Sequence, residues 1–171
     1  MLPSPDEREA ALYQRLAALG IAWKTYRHVP VFTVAEADAV HASLPGGHTK
    51  NLFLKDRKDG LWLAVVRDRL RVDLPALAKR LGAPRFSFGS AELLIATLGI
   101  EPGSVTPFAL MNDPGRSVRV ILDEGMLGLD PLNFHPLRND RTTAISPGDL
   151  LRFVRACGHD PMIGALPEVA A

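Results

Sequence analysis

Two apolar runs joined by a short polar loop restrict the fold most. Residues 51–55 and 61–66 flank residues 56–60, whose Asp59-Gly60 close fits a hairpin, so part of the sheet must be antiparallel. The second run, Leu61-Trp62-Leu63-Ala64-Val65-Val66, is apolar on both faces and predicts a central strand. Further apolar or β-rich runs at 23–28, 108–112, 118–122 and around 133–135 predict additional strands.

Helix signals lie between these runs. Ser4-Pro5-Asp6-Glu7 combines an N-cap serine, a proline at the first helical position and a glutamate three residues after the cap, and Leu12, Leu16 and Leu19 follow at helical spacing. Thr33-Val34-Ala35-Glu36 repeats the capping box before a short helix to about Val40. Asp73 precedes a third helix ending before Gly82, a fourth spans 90–98, and Ser146-Pro147-Gly148-Asp149 opens a fifth. Strands and helices intermix without regular β-α-β alternation, so the fold class is α/β with a mixed, partly antiparallel sheet flanked by helices. At 171 residues the chain reads as one domain (1–171) with its core at about 8–158, and the tail after Pro161 is expected to be loosely ordered.

Composition excludes several classes. Hydrophobic residues at 47% and charged residues at 23% exclude a disordered chain, and no apolar stretch reaches the ~18 residues of a membrane span. Residues 1–9 are polar and acidic where a signal peptide would be basic and then apolar, so a cytoplasmic protein with no membrane partner is expected. Cys157, the single cysteine, falls on the apolar face of the fifth helix and reads as core. The net charge of +1 excludes a protein held on DNA or other nucleic acid mainly by charge. Its distribution is uneven, with ten basic and four acidic residues between positions 50 and 85. That segment could face a phosphate-bearing partner or be a solvated face.

The chain has no G-x-S-x-G, H-E-x-x-H, C-x-x-C or G-x-x-x-x-G-K-[ST] motif. His41 and His48 lack a carboxylate at metal-ligand spacing, so a metal site is not expected. Three segments remain as candidates for chemistry. They are the lysine of His48-Thr49-Lys50-Asn51, the loop Gly103-Ser104-Val105-Thr106-Pro107 with its free amides, and the histidine of Asn133-Phe134-His135-Pro136. Each also has a structural reading: a surface lysine, a turn glycine after Pro102, and a core histidine satisfied by a carbonyl. Taken together, they suit an anionic or ester substrate.

The same segments, extended to His48-Thr49-Lys50-Asn51-Leu52-Phe53-Leu54-Lys55-Asp56, to the stretch from Leu98 to Phe108 containing Gly103-Ser104-Val105-Thr106-Pro107, and to the stretch from Phe134 to Ile145, carry a family resemblance. In order and separation they resemble the YbaK-like aminoacyl-tRNA editing domains related to the insertion domain of bacterial prolyl-tRNA synthetase. Within that family the loop spacing is similar to the free-standing ProXp-ala (PrdX-type) branch. The resemblance implies hydrolysis of mischarged Ala-tRNA(Pro) without a metal or an organic cofactor, with the tRNA(Pro) acceptor end carrying alanine as partner and prolyl-tRNA synthetase or an elongation factor as cooperating proteins.

By the same resemblance Lys50 contacts the terminal nucleotide and Asn51 adds a hydrogen bond or shapes the pocket. Backbone groups of Gly103, Ser104 and Thr106, with Val105 and Pro107 in the same loop, line the ester. His135 orients a group, supports the pocket or acts as general base. Phe32, Val34 and Met111 flank these segments as candidate pocket walls. A deacylase for Cys-tRNA or another small amino acid, and a tRNA-binding module without turnover, remain the alternatives.

Overall fold

The computed structural model describes residues 1–170. In chain order the elements are α1 (Pro5–Ala18), β1 (Lys24–Arg27), α2 (Val34–Ser43), β2 (Gly47–Asp56), β3 (Leu61–Arg67), α3 (Leu74–Leu81), β4 (Phe86–Phe88) and α4 (Ala91–Leu98). There follow a 3-10 helix (Pro107–Asn112), β5 (Val118–Asp123), a short 3-10 turn (Met126–Gly128), β6 (Leu132–Phe134), β7 (Arg141–Ile145), α5 (Pro147–Ala156) and β8 (Met162–Gly164). The helix starts are those the caps predict. Ser4, Thr33, Asp73, Ser90 and Ser146 each accept a backbone N–H from the first turn.

The strands form a mixed sheet of eight, ordered β1-β7-β6-β2-β3-β5-β8, with β4 also paired to β2. β2 and β3 are the expected hairpin, in antiparallel register from Thr49↔Arg67 to Lys55↔Leu61. β5 lies parallel to β3, so β3 is interior. Its side chains alternate between two apolar layers, as a strand apolar on both faces must. Leu63 and Val65 join Leu12, Leu16, Leu98, Phe108 and Phe153 on one side, while Trp62 and Ala64 join Leu77, Ala78 and Phe86 on the other. Each of the buried leucine, valine and phenylalanine side chains contributes about 1.5 to 3 kcal/mol.

β2 has only two hydrogen-bonding edges, and their use positions the site. One edge is taken by β3 and, beyond it, by the Asp68 N–H, which donates to the His48 carbonyl. The other is shared: β6 pairs parallel at Gly47 and His48, and β4 pairs antiparallel at Leu54 to Asp56. Between these two pairings the sheet splits, and Lys50 and Asn51 lie at the split.

The structure departs from the sequence expectations at several elements. Residues 108–112 are not a strand but part of the 3-10 helix, because Pro107 fixes the first turn and the Thr106 hydroxyl accepts the Phe108 N–H at 3.3 Å. The tail is ordered where looseness was expected: β8 pairs parallel with β5, and Val72 bridges Glu168. β2 begins four residues earlier than the apolar run, and α2 extends to Ser43. β4 and β7 are strands that no apolar run marked.

The hairpin is closed by one carboxylate. Asp56 Oδ1 accepts the N–H groups of Lys58 (2.8 Å) and Gly60 (2.9 Å), and Oδ2 accepts the Trp62 indole N–H (3.1 Å). Burial would raise the Asp56 pKa, but the Trp62, Gly60 and Lys58 hydrogen bonds outweigh it and hold the carboxyl below its ordinary range. Its contribution is therefore present above the unfolded pKa near 3.8 and is lost as pH falls through the lower folded value. Replacement by Asp56→Ala should cost about 3 kcal/mol, since the buried Trp62 indole and two loop N–H groups lose a charged acceptor; urea unfolding at pH 7 measures it.

Candidate active site

A pocket of about 430 Å³ opens at the split in the sheet. Its floor is the Thr49, Lys50 and Asn51 stretch of β2, and its sides come from the loop entering α2, from α2 itself, from the turn after β3, and from Gly103, Val105 and His135. All three sequence segments singled out for chemistry therefore meet on one cavity.

Lys50 is half-buried, and burial is the main cause holding its pKa below the ordinary lysine value; Arg71 adds to this and Asp68 opposes it. The nearby carboxylates are engaged elsewhere. Asp68 accepts from His41 Nδ1 at 3.2 Å and lies 4.0 Å from Arg69, and Asp38 lies 3.7 Å from Arg69. Among the described residues Lys50 has no ion-pair partner, so its charge can serve an incoming anion.

His135 follows β6 and lies on the pocket wall. Its Nδ1 is 2.9 Å from the Arg141 carbonyl, which can only accept, so Nδ1 carries the hydrogen and Nε2 is left as an acceptor. Burial is the main cause lowering its pKa, the neighbouring His28 and His41 add to it, and the Arg141 carbonyl and Asp140 oppose it. The ring is neutral near pH 7. The carbonyl-satisfied histidine and the site histidine of the sequence analysis are thus the same residue. Its segment is anchored to α1, where Arg8 Nε donates to the Leu137 carbonyl at 3.2 Å and Arg141 pairs with Glu9 at 3.4 Å.

The Gly103 loop divides. Gly103 and Val105 line the pocket, and among the described residues their N–H groups have no acceptor. Ser104, Thr106 and Pro107 are buried behind it: the Ser104 N–H donates to Glu101, and Thr106 caps the 3-10 helix. Phe32 and Val34 line the pocket while remaining 73% and 78% exposed, respectively. Met111 does not reach it and lies instead on a separate cavity with Gly99, Asn112 and Leu137.

Sequence reasoning missed Val31, Thr33, Ala37, Asp38, His41, Asp68 and Arg69 as pocket residues. For Asp68 and Arg69 a signal existed, since they follow the end of the long β3 run and must turn beside Lys50. His41 carries a different signal, seven residues before His48 on the far side of a loop. The two rings stack at 4.2 Å.

A mixed-sheet α/β domain with an unpaired lysine, free loop amides and a neutral histidine around one cavity brings together groups that can hold an anion beside a polarised carbonyl. The chain belongs to the aminoacyl-tRNA editing domain family, whose profile matches residues 28–153. It is 42% identical over 162 residues to the prolyl-tRNA synthetase associated domain-containing protein 1 of Bos taurus, covering 92% of this chain and 94% of that one. It is 31% identical over 154 residues to the prolyl-tRNA editing protein ProX of Acetoanaerobium sticklandii, covering 90% and 94%. A solved structure described as a candidate trans-editing enzyme for prolyl tRNA synthetase shares the fold, with a TM-score of 0.74 at 22% identity over 98% of this chain and 99% of that one. Among the described residues no helix is long and apolar enough to cross a membrane.

Gly103 has φ of +90°, a conformation side chains rarely adopt, while an added Cβ would meet Asn139 Nδ2 at 3.4 Å and Phe32 Cδ1 at 3.8 Å, which is ordinary contact. Strain rather than collision dominates, so Gly103→Ala should lower stability by about 1 to 2 kcal/mol, read as a drop in melting temperature.

Proposed function

We propose that this protein is a trans-editing deacylase that hydrolyses Ala-tRNA(Pro) and so prevents alanine from entering at proline codons. The observation that carries this reading is the meeting of Lys50, Asn51, Gly103 and His135 on one pocket at the split of the sheet. Membership of the editing family and the likeness to ProX support it.

An aminoacyl ester is already activated, so the enzyme must chiefly hold the terminal adenosine, polarise the carbonyl and place a water. Lys50 holds a phosphate of the terminal nucleotide as a point charge, and Asn51 adds a hydrogen bond. The N–H groups of Gly103 and Val105 face the ester carbonyl and stabilise the charge that develops on its oxygen; one such donor is worth ~3 kcal/mol. His135 Nε2 accepts a hydrogen from the ribose hydroxyl or the attacking water. No step requires a side-chain nucleophile. Cys157 is buried, and burial pushes its thiol up to about 11.

Selection of alanine over the larger proline is steric in this reading. Attraction to a smaller side chain changes binding by only ~1 to 3 kcal/mol, whereas a wall excludes the larger one. Phe32 and Val34, with Val31 behind them, form that wall. The enzyme works where tRNA is charged, in the cytoplasm, with prolyl-tRNA synthetase or an elongation factor as cooperating partner.

The deciding experiment is a deacylation panel over Ala-, Cys-, Ser- and Pro-tRNA(Pro). Release of alanine alone supports the reading, preferential release of cysteine or serine reassigns the substrate, and tRNA binding without release makes the protein a binding module. Lys50→Ala should reduce single-turnover deacylation by at least about tenfold, since a charge-assisted contact is worth ~1.5 to 3 kcal/mol, while the melting temperature changes little. The kcat/KM profile should be flat near pH 7 and fall on acidification with an apparent pKa below the ordinary imidazole value of 6.5, because His135 must be neutral to accept a hydrogen. A limb centred above pH 7 would remove His135 from that role.

A further inference from the structure

Behind His135 lies a second, much smaller chamber of about 30 Å³. His41, Thr49, Asn51 and His135 border both it and the main pocket, while His48, Asn133 and Thr142 border the chamber alone of the two. Three of these residues carry buried polar atoms without a hydrogen-bond partner: His48 Nδ1, Asn51 Oδ1 and Asn133 Oδ1.

Hydrogen-bond geometry fixes the chemical character of these atoms. His48 Nε2 lies 3.1 Å from the Leu44 carbonyl and must carry the hydrogen, which leaves Nδ1 an acceptor in the neutral ring. Asn133 Nδ2 donates to the Pro45 carbonyl at 2.9 Å and the Gly47 carbonyl at 3.1 Å, which fixes its amide and leaves Oδ1 an acceptor. His48 Nδ1 and Asn133 Oδ1 are thus acceptors, and Asn51 Oδ1 is placed as a third.

The donors around them are committed. Thr49 Oγ1 donates to the Asn133 carbonyl at 2.8 Å, and His135 Nδ1 donates to Arg141. Thr142 Oγ1 lies 2.8 Å from His28 Nε2, and because His28 Nδ1 donates to the Val29 carbonyl, that hydroxyl is the donor. The Asn51 NH2 group reaches none of the three acceptors. A partner must therefore come from outside the chain, bring hydrogens and be small. A polar cavity holds a water once its volume exceeds ~10 to 15 Å³, and buried waters make ~2 to 4 hydrogen bonds.

We propose that this chamber binds one ordered water, through which His48 and Asn133 act as positioning residues for Asn51 and, with it, for the substrate-facing edge of the site. The water's two hydrogens meet two of the three acceptors, and Asn133 is the rigid end of the link because its NH2 is tied to the loop before β2 and to the start of that strand. The kinetic consequence rests on the deacylase reading; the water site itself does not.

The test has a structural and a kinetic arm. A crystal structure at a resolution that shows ordered water should place one peak within hydrogen-bond distance of Asn133 Oδ1 and of Asn51 Oδ1 or His48 Nδ1. A chamber without density, or one whose acceptors are met by protein donors, overturns the proposal. His48→Phe keeps a ring to stack on His41 and removes Nδ1, so kcat for Ala-tRNA(Pro) should fall by about tenfold with KM unchanged, as expected of a misplaced group. His48→Asn returns an amide oxygen near the place of Nδ1 and should restore most of kcat. Wild-type kcat in the folded Phe variant, or equal loss in both variants, overturns the positioning role. If wild-type protein releases no amino acid from any tRNA(Pro), the deacylase reading fails, and the density alone decides the chamber.

Discussion

The architecture depends on the limited hydrogen-bonding capacity of β2. A strand has two edges, and an interior strand ordinarily fills both along its length. β2 fills one with β3 but divides the other between β6 at its start and β4 at its end. The strand is held rigidly at both ends while its middle faces a gap. A lysine and an asparagine in that middle sit on an element as firm as the core yet border the pocket, which suits side chains that must be placed accurately. The paired end is fastened by Asp56, and the opposite end by Asn133 and the Pro131 carbonyl, which accepts the Gly47 N–H at 2.7 Å.

Most of the architecture was legible where the information is local. Serine, threonine and aspartate caps marked the starts of α1 to α5, and the hairpin could be read from two apolar runs and one Asp-Gly turn. Non-local pairings were not. β7 reads as Arg-Thr-Thr-Ala-Ile, without an apolar run, and is a strand because β1 and β6 cover its two edges. β8 is three residues long and exists because β5 had a free edge. The 108–112 segment misled for a different reason: a fully buried apolar run looks the same as a strand or as a helical turn, and only the proline before it separates the two.

The site shows the same division. Lys50, Asn51, Gly103, Val105 and His135 were readable as segments, but which face of the loop each residue presents follows from the turn itself. Ser104 spends its N–H on Glu101 and faces inward, so adjacent residues of one motif have opposite fates. Met111 is drawn away for a comparable reason, since the 3-10 helix directs it toward the α1 side of the molecule. His41 is placed by packing: burial and the stacked His48 lower its pKa although Asp68 alone would raise it.

Phe32 and Val34 lie on the pocket yet are mostly solvent-exposed, outside both apolar layers. Changing the size of either removes little buried area, so cavity shape can drift through single substitutions without a debt to folding. Lys50, Asn51 and His135, by contrast, are bound into the sheet and its hydrogen bonds. The molecule thus separates a pocket contour whose shape is free of the core from a floor that is part of the core's own framework.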